Sequence, residues 1–362
     1  MDEKKIRIAI THGDTNGIGY EQIFKTFASP EMMELCTPII YGSPKIASYH
    51  RKALGIPGNF SIISSCNDIR EGRVNMLTCF DEDVKVDFGT FNPDAQKAGV
   101  KALERALTDF QNNGFDVLVT APLNKKESLF PGNAAFFQKK ISNSGQPLTI
   151  LVGDGMRLAL VTEDIAFKDI AEKISTESIV EKAVLLNKSL KRDFRIFSPR
   201  IAILALNPKG DGKEESEIIS PAIAKLESEG IQAFGPFVAN EFFGNNKQEA
   251  FDAVLAMYHD QGITPFKTLS ANNSYVLTTG LPIVHTAPDC DPSYAIAGKN
   301  EADESKLRQA IYAAIDIFRN RIHFDEPFAN PLPKLYHEKR DESEKVRFSI
   351  PKKHENSIKE KL

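Results

Sequence analysis

Residues 6–21 read IRIAITHGDTNGIGYE. The apolar run Ile6–Ile10 predicts a buried strand, and the helical pattern predicts a helix starting near Tyr20. Between them lies a glycine-rich turn carrying Gly13, Asp14, Gly17 and Gly19. Its spacing is G-x-x-x-G-x-G, which is not the dinucleotide fingerprint G-x-G-x-x-G. Two readings stay open for it. Backbone N–H groups at a helix start can hold an anion, or the glycines can serve a tight turn that needs positive φ.

The same alternation continues along the chain. Ile39–Tyr41, Asp116–Thr120, Arg157–Val161, Ile201–Leu206 and Ala253–Met257 read as further short strands. Helical spacing marks a segment capped at Asp94 and running to about Phe110, with Val100, Leu103, Leu107 and Phe110 on one face. It marks another over Ser178–Leu190, and a last one through Leu307, Ile311, Ile315 and Phe318. Short strands alternating with longer helices predict an α/β fold with a largely parallel sheet. Three loops, Ala121–Lys126, Asn207–Lys213 and Tyr258–Lys267, start at carboxyl ends of predicted strands, where ligand sites gather in such sheets. His259-Asp260 is the pair with metal or acid/base potential, although a histidine at a strand end also serves purely structural roles. The other six histidines show no ligand spacing, and no nucleophile elbow, P-loop or Cys/His pair occurs.

Composition bounds the rest. The chain has 362 residues, 41% hydrophobic and 26% charged, with 45 Lys+Arg against 49 Asp+Glu for a net charge of −4. That is globular, with no basic excess to suit nucleic acid. Cys36, Cys66, Cys79 and Cys290 form no C-x-x-C pair, so reduced thiols and a cytoplasmic location are expected. No apolar stretch approaches the ~18 residues of a membrane span. Residues 331–362, with 9 Lys+Arg and 6 Asp+Glu, read as a charged tail beyond a single unit over 1–330.

Seven segments are together similar to one known family: ITHGDTNGIGYE, DVLVTAPLNK, LALVTEDIAFKDIA, LALNP, LAMYHDQGITPFK, TTGLPIVHT and YAIAGK. In order and spacing they resemble the 4-hydroxythreonine-4-phosphate dehydrogenase (PdxA) family, over roughly residues 5 to 320. The resemblance implies an isocitrate/isopropylmalate dehydrogenase type of fold, with two α/β/α subdomains around a cleft, the first expected to be discontinuous in sequence. It implies a homodimer with its active site at the dimer interface. It also implies NAD as hydride acceptor, and a divalent metal that promotes decarboxylation.

Several positions depart from the family's pattern. Of three histidines that hold the metal, His259 remains, while Asp164 and Lys209 stand where the other two are expected. A charged lysine cannot ligate a cation, so loss of the metal is expected, with Asp164 and Lys209 paired to each other. At substrate positions, the GHTE motif reads Gly132-Asn133-Ala134-Ala135, an expected asparagine is Val276, and an expected arginine is His285, a weaker phosphate partner. Lys267 keeps its identity. A non-catalytic or repurposed member is therefore expected. The alternatives are an active NAD-dependent dehydrogenase on a related phosphorylated or hydroxy-acid substrate, or another chemistry on the same fold.

Overall fold

The computed structural model describes residues 5–80, 84–125, 129–141, 146–270 and 273–330. Its contacts cluster into two units, Met1–Phe324 and Asp325–Leu362. The charged tail 331–362, with His337 and His354, lies outside the described residues.

Twelve strands are described: β1 (Ile6–Thr11), β2 (Cys36–Gly42), β3 (Phe60–Ile63), β4 (Val74–Thr78), β5 (Val117–Thr120), β6 (Leu148–Gly153), β7 (Met156–Leu160), β8 (Arg200–Leu204), β9 (Gln232–Phe237), β10 (Ala253–Ala256), β11 (Tyr275–Thr279) and β12 (Val284–Pro288). They form one sheet in the order β3-β4-β2-β1-β5-β12-β11-β6-β7-β10-β8-β9. The central strands are buried on both faces, which is why they read as continuous apolar runs. Ile8, Ile10, Val117 and Val119 pack on one side with Ala98, Ile311 and Ala314 in their cluster. Ala9, Ile39, Tyr41 and Leu118 pack on the other against Leu103, Ala106 and Leu107 of the helix Pro93–Gln111. This is the period of two expected of a strand buried twice.

The sheet is mixed rather than largely parallel through its middle. β6 runs antiparallel to β7 and β11, and β11 antiparallel to β12. This reversal places Val276 opposite Ala287, and Thr278 opposite both Thr149 and His285. Two boundaries differ from expectation. The helix Pro93–Gln111 is capped by Asn92, whose side-chain oxygen accepts from the Asp94 N–H, with Pro93 at the first helical position. The predicted loop after Tyr258 is instead the helix His259–Leu269, which carries Pro265 within it. Gly262 suggested a loop, yet it sits where a Cβ would press on Leu158 and Ala256. There it permits close helix–sheet packing.

Candidate functional site

The glycine turn is spent on packing. Gly13 has φ +74°, and a Cβ there would collide with the Pro122 carbonyl; one on Gly19 would strike the His12 carbonyl. The N–H groups of Asp14 and Ile18 donate to the Pro122 and Pro292 carbonyls. Gly17 N–H donates to the Asp14 carbonyl, and Asn16 N–H to Asp14 Oδ1 at 2.8 Å. Asp14 is itself buried and accepts from Tyr294 Oη at 2.7 Å; burial raises its carboxyl pKa. These four amides are committed within the fold, and the glycines permit the close approaches that a tight turn requires. Gly13→Ala is expected to destabilise the fold by about 1–3 kcal/mol, the cost of a strained backbone with a steric conflict. Urea unfolding would check it; a loss under 0.5 kcal/mol, on the order of a neutral surface change, would contradict the close approach.

Beside the turn, at the carboxyl ends of β1 and β5, opens a cavity of about 480 Å³. Its walls include Thr11, Gly13, the segment Thr120–Leu123, Lys125, Gly132–Ala135, Glu163, Asp164, Lys267, Val276, Thr278 and Pro288–Asp291. Asn133, Ala134, Asp164, Lys267 and Val276, singled out from the sequence, thus share one space. Lys209, His259 and His285 do not line it. Sequence reasoning passed over Glu163, Asp289 and Asp291, although Asp289-Cys290-Asp291 directly follows the end of β12 at Pro288.

His285 lies behind the cavity wall. It is fully buried, with Nε2 3.0 Å from Thr120 Oγ1, Nδ1 3.0 Å from Thr278 Oγ1, and the Phe137 ring against its face. Burial lowers its pKa to about 3, so it is neutral at physiological pH. The expectation of a titratable phosphate partner at this position is corrected: the ring is walled off, and burial disfavours its charged form.

Both lysines in the cavity are paired. Lys125 Nζ meets Asp164 Oδ2, joining the loop after β5 to the one after β7. Lys267 Nζ meets Asp289 Oδ1, whose other oxygen accepts from Ser274 Oγ at 2.7 Å. The expected Asp164–Lys209 pair is therefore also corrected, since Lys125 is the partner of Asp164. Lys209 is exposed, on a turn held from within by Glu215, which accepts from the N–H groups of Asn207 and Gly212 at 2.7 and 2.9 Å.

A protein-family model, "Pyridoxal phosphate biosynthetic protein PdxA", matches residues 34–314. The chain belongs to the PdxA family. A 4-hydroxythreonine-4-phosphate dehydrogenase of Bacteroides thetaiotaomicron is 48% identical over 96% of this chain and 98% of its own. One from a Sulfurihydrogenibium species is 35% identical over 87% and 99%. The crystal structure of a 4-hydroxythreonine-4-phosphate dehydrogenase from Burkholderia phymatum superposes with a TM-score of 0.69 at 27% identity, over 87% of this chain and 99% of that one. The mixed α/β fold is thus of the isocitrate/isopropylmalate dehydrogenase type.

Against the PdxA family's metal, the donor set fits poorly. His259, at the start of the helix His259–Leu269, is half-exposed and lies 3.6 Å from Asp260. Asp164 is neutralised by Lys125, and Lys209 is an ammonium with no lone pair to give. Among the described residues no three His, Cys, Asp or Glu side chains gather as a metal site. Nor is any described helix long and apolar enough to cross a membrane.

Proposed function

We propose that this PdxA-family chain is a homodimer whose cavity binds a small polar molecule without a metal, and that it does not carry its relatives' oxidation and decarboxylation at their rate. The two subdomains of 1–330 would face each other across that cavity. The observation that carries the reading is the Lys125–Asp164 pair. It occupies one ligand position with a neutralised carboxylate, while a lysine stands at a second. A unit charge at ~4 Å contributes about 4 kcal/mol at an effective dielectric near 20. A dication close to Lys209 would meet roughly twice that in repulsion.

A second reading has specific support. Identity of 48% with a named dehydrogenase over nearly the whole chain favours an active NAD-dependent dehydrogenase on 4-hydroxythreonine 4-phosphate or a related phosphorylated or hydroxy-acid substrate. One assay separates the two. With NAD, magnesium, manganese or zinc, and 4-hydroxythreonine 4-phosphate, NADH formation is expected at least a hundredfold below that of the Bacteroides relative run in parallel, about 2.7 kcal/mol of lost transition-state stabilisation. Equal rates would establish the second reading. Sedimentation showing only monomer at micromolar concentration would remove the dimer from both.

A further inference from the structure

We infer that His285 is a positioning residue of the cavity: through Thr120 and Thr278 it sets one hydroxyl donor and one hydroxyl acceptor on the wall, a pair that recognises a ligand oxygen carrying its own proton. This rests on the reading that the cavity binds a small polar molecule, and it names the group that one wall would hold. Strands β5, β12 and β11 lie side by side in the sheet. Thr120 ends β5, His285 lies on β12, and Thr278 stands opposite it on β11. The imidazole bridges the two threonines, with Nε2 3.0 Å from Thr120 Oγ1 and Nδ1 3.0 Å from Thr278 Oγ1. Both threonines line the cavity and the histidine does not. With both ring nitrogens engaged, His285 acts on the cavity only through those two hydroxyls.

A neutral imidazole has one N–H and one bare nitrogen. Full burial favours that neutral form, and both hydrogen-bond partners of the ring are uncharged hydroxyls. The protonated nitrogen donates to one threonine, whose own O–H stays free to donate. The bare nitrogen takes the proton of the other threonine, whose oxygen keeps a lone pair to accept with. Either tautomer therefore gives one donor and one acceptor, and a change of tautomer only exchanges their places. The Phe137 ring, itself fully buried, packs edge-on at 4.6 Å and holds the imidazole in this plane. A ligand hydroxyl answers both threonines at once, accepting from one and donating to the other. A phosphoryl oxygen that bears a proton offers the same two functions. An apolar side chain at position 285 would leave both threonine hydroxyls free to rotate, and the polarity of the wall would be unset.

The test is calorimetric titration of the full-length protein with two probes, 4-hydroxythreonine and its 4-phosphate. His285→Leu is expected to weaken binding about tenfold, and His285→Gln, whose amide keeps one donor and one acceptor, to recover most of that loss. Thr120→Val should cost about as much in the parent, yet add little in the His285→Leu background, because the histidine acts through that hydroxyl. A loss seen with both probes assigns the paired oxygen to a ligand alcohol; a loss confined to the ester assigns it to the phosphoryl group. Melting temperatures within a few degrees of the parent confirm folding. If leucine at 285 prevents folding, Thr120→Val and Thr278→Val decide, each expected to cost about tenfold. Unchanged affinity in these variants, glutamine no better than leucine, or full additivity of His285→Leu with Thr120→Val would overturn the inference while leaving small-molecule binding intact. Binding of neither probe to the parent would remove the reading beneath, and the inference with it.

Discussion

Asp193→Ala is expected to lower the stability of the fold by about 3–5 kcal/mol, the cost of stranding a buried charge. Arg321 Nε donates to Asp193 Oδ1 at 2.7 Å, and both side chains are almost wholly buried. The carboxylate also accepts from Ser189 Oγ at 2.7 Å and Thr279 Oγ1 at 3.1 Å. The guanidinium completes its bonding on the Leu281 and Ile283 carbonyls at 3.3 and 3.1 Å. One ion pair thus ties the end of the helix Thr176–Arg192 and the β11–β12 turn to the helix Ser305–Ala329. Removing the carboxylate leaves the guanidinium with two carbonyls and no countercharge, and leaves two hydroxyls without their acceptor. The double variant Asp193→Ala, Arg321→Met, which removes both charges, should be less damaged than Asp193→Ala alone. Urea unfolding of the three proteins checks this. A single-variant loss under 1 kcal/mol, on the order of an exposed pair, would show that the pair is far more hydrated than its burial implies.

That pair also shows what the sequence could and could not convey. Asp193 and Arg321 are 128 positions apart, and no periodicity in either segment points to the other. Strands buried on both faces, such as β1, β5, β8 and β10, announce themselves by continuous apolar runs ending in polar loops. The antiparallel β6, β11 and β12 do not, because TTGLPIVHT contains a turn whose strands are defined only by pairing. The candidate site divides along the same line. Asn133, Ala134, Asp164, Lys267 and Val276 were legible as site positions through family resemblance, and one cavity gathers them. The partner of Asp164 was not legible. Lys125 reaches it only because of the sheet order and mixed strand directions. Composition gave no warning that His285, next to a cavity wall, would be sealed between Thr120, Thr278 and Phe137.

The buried histidines make the fold acid-sensitive over an unusually high pH range. His12, His50 and His285 are each fully buried. Burial lowers their pKa values to about 3, about 4 and about 3, with His50 adding to the effect at His12. His12 stacks on Tyr20 at 5.0 Å, and His50 Nε2 lies 2.7 Å from the Thr15 carbonyl. No carboxylate contributes to any of the three shifts. In the unfolded chain each ring takes up a proton near pH 6.5, while the native rings stay neutral down to pH 3–4. Protons therefore favour the unfolded state as pH falls below 6.5, and the loss levels off only below the folded values. Each group contributes roughly 1 kcal/mol per pH unit in that window. Between pH 7.5 and 5.5 the three together are expected to cost about 4 kcal/mol, a large fraction of a typical fold's stability. Asp14 acts in the opposite direction, since its raised pKa favours the native state as pH falls through it. It is one group against three. Urea midpoints at pH 7.5, 6.5 and 5.5 would measure the slope, and His50→Gln or His285→Gln should each remove about a third of it. A flat profile would mean that the rings protonate in the native state.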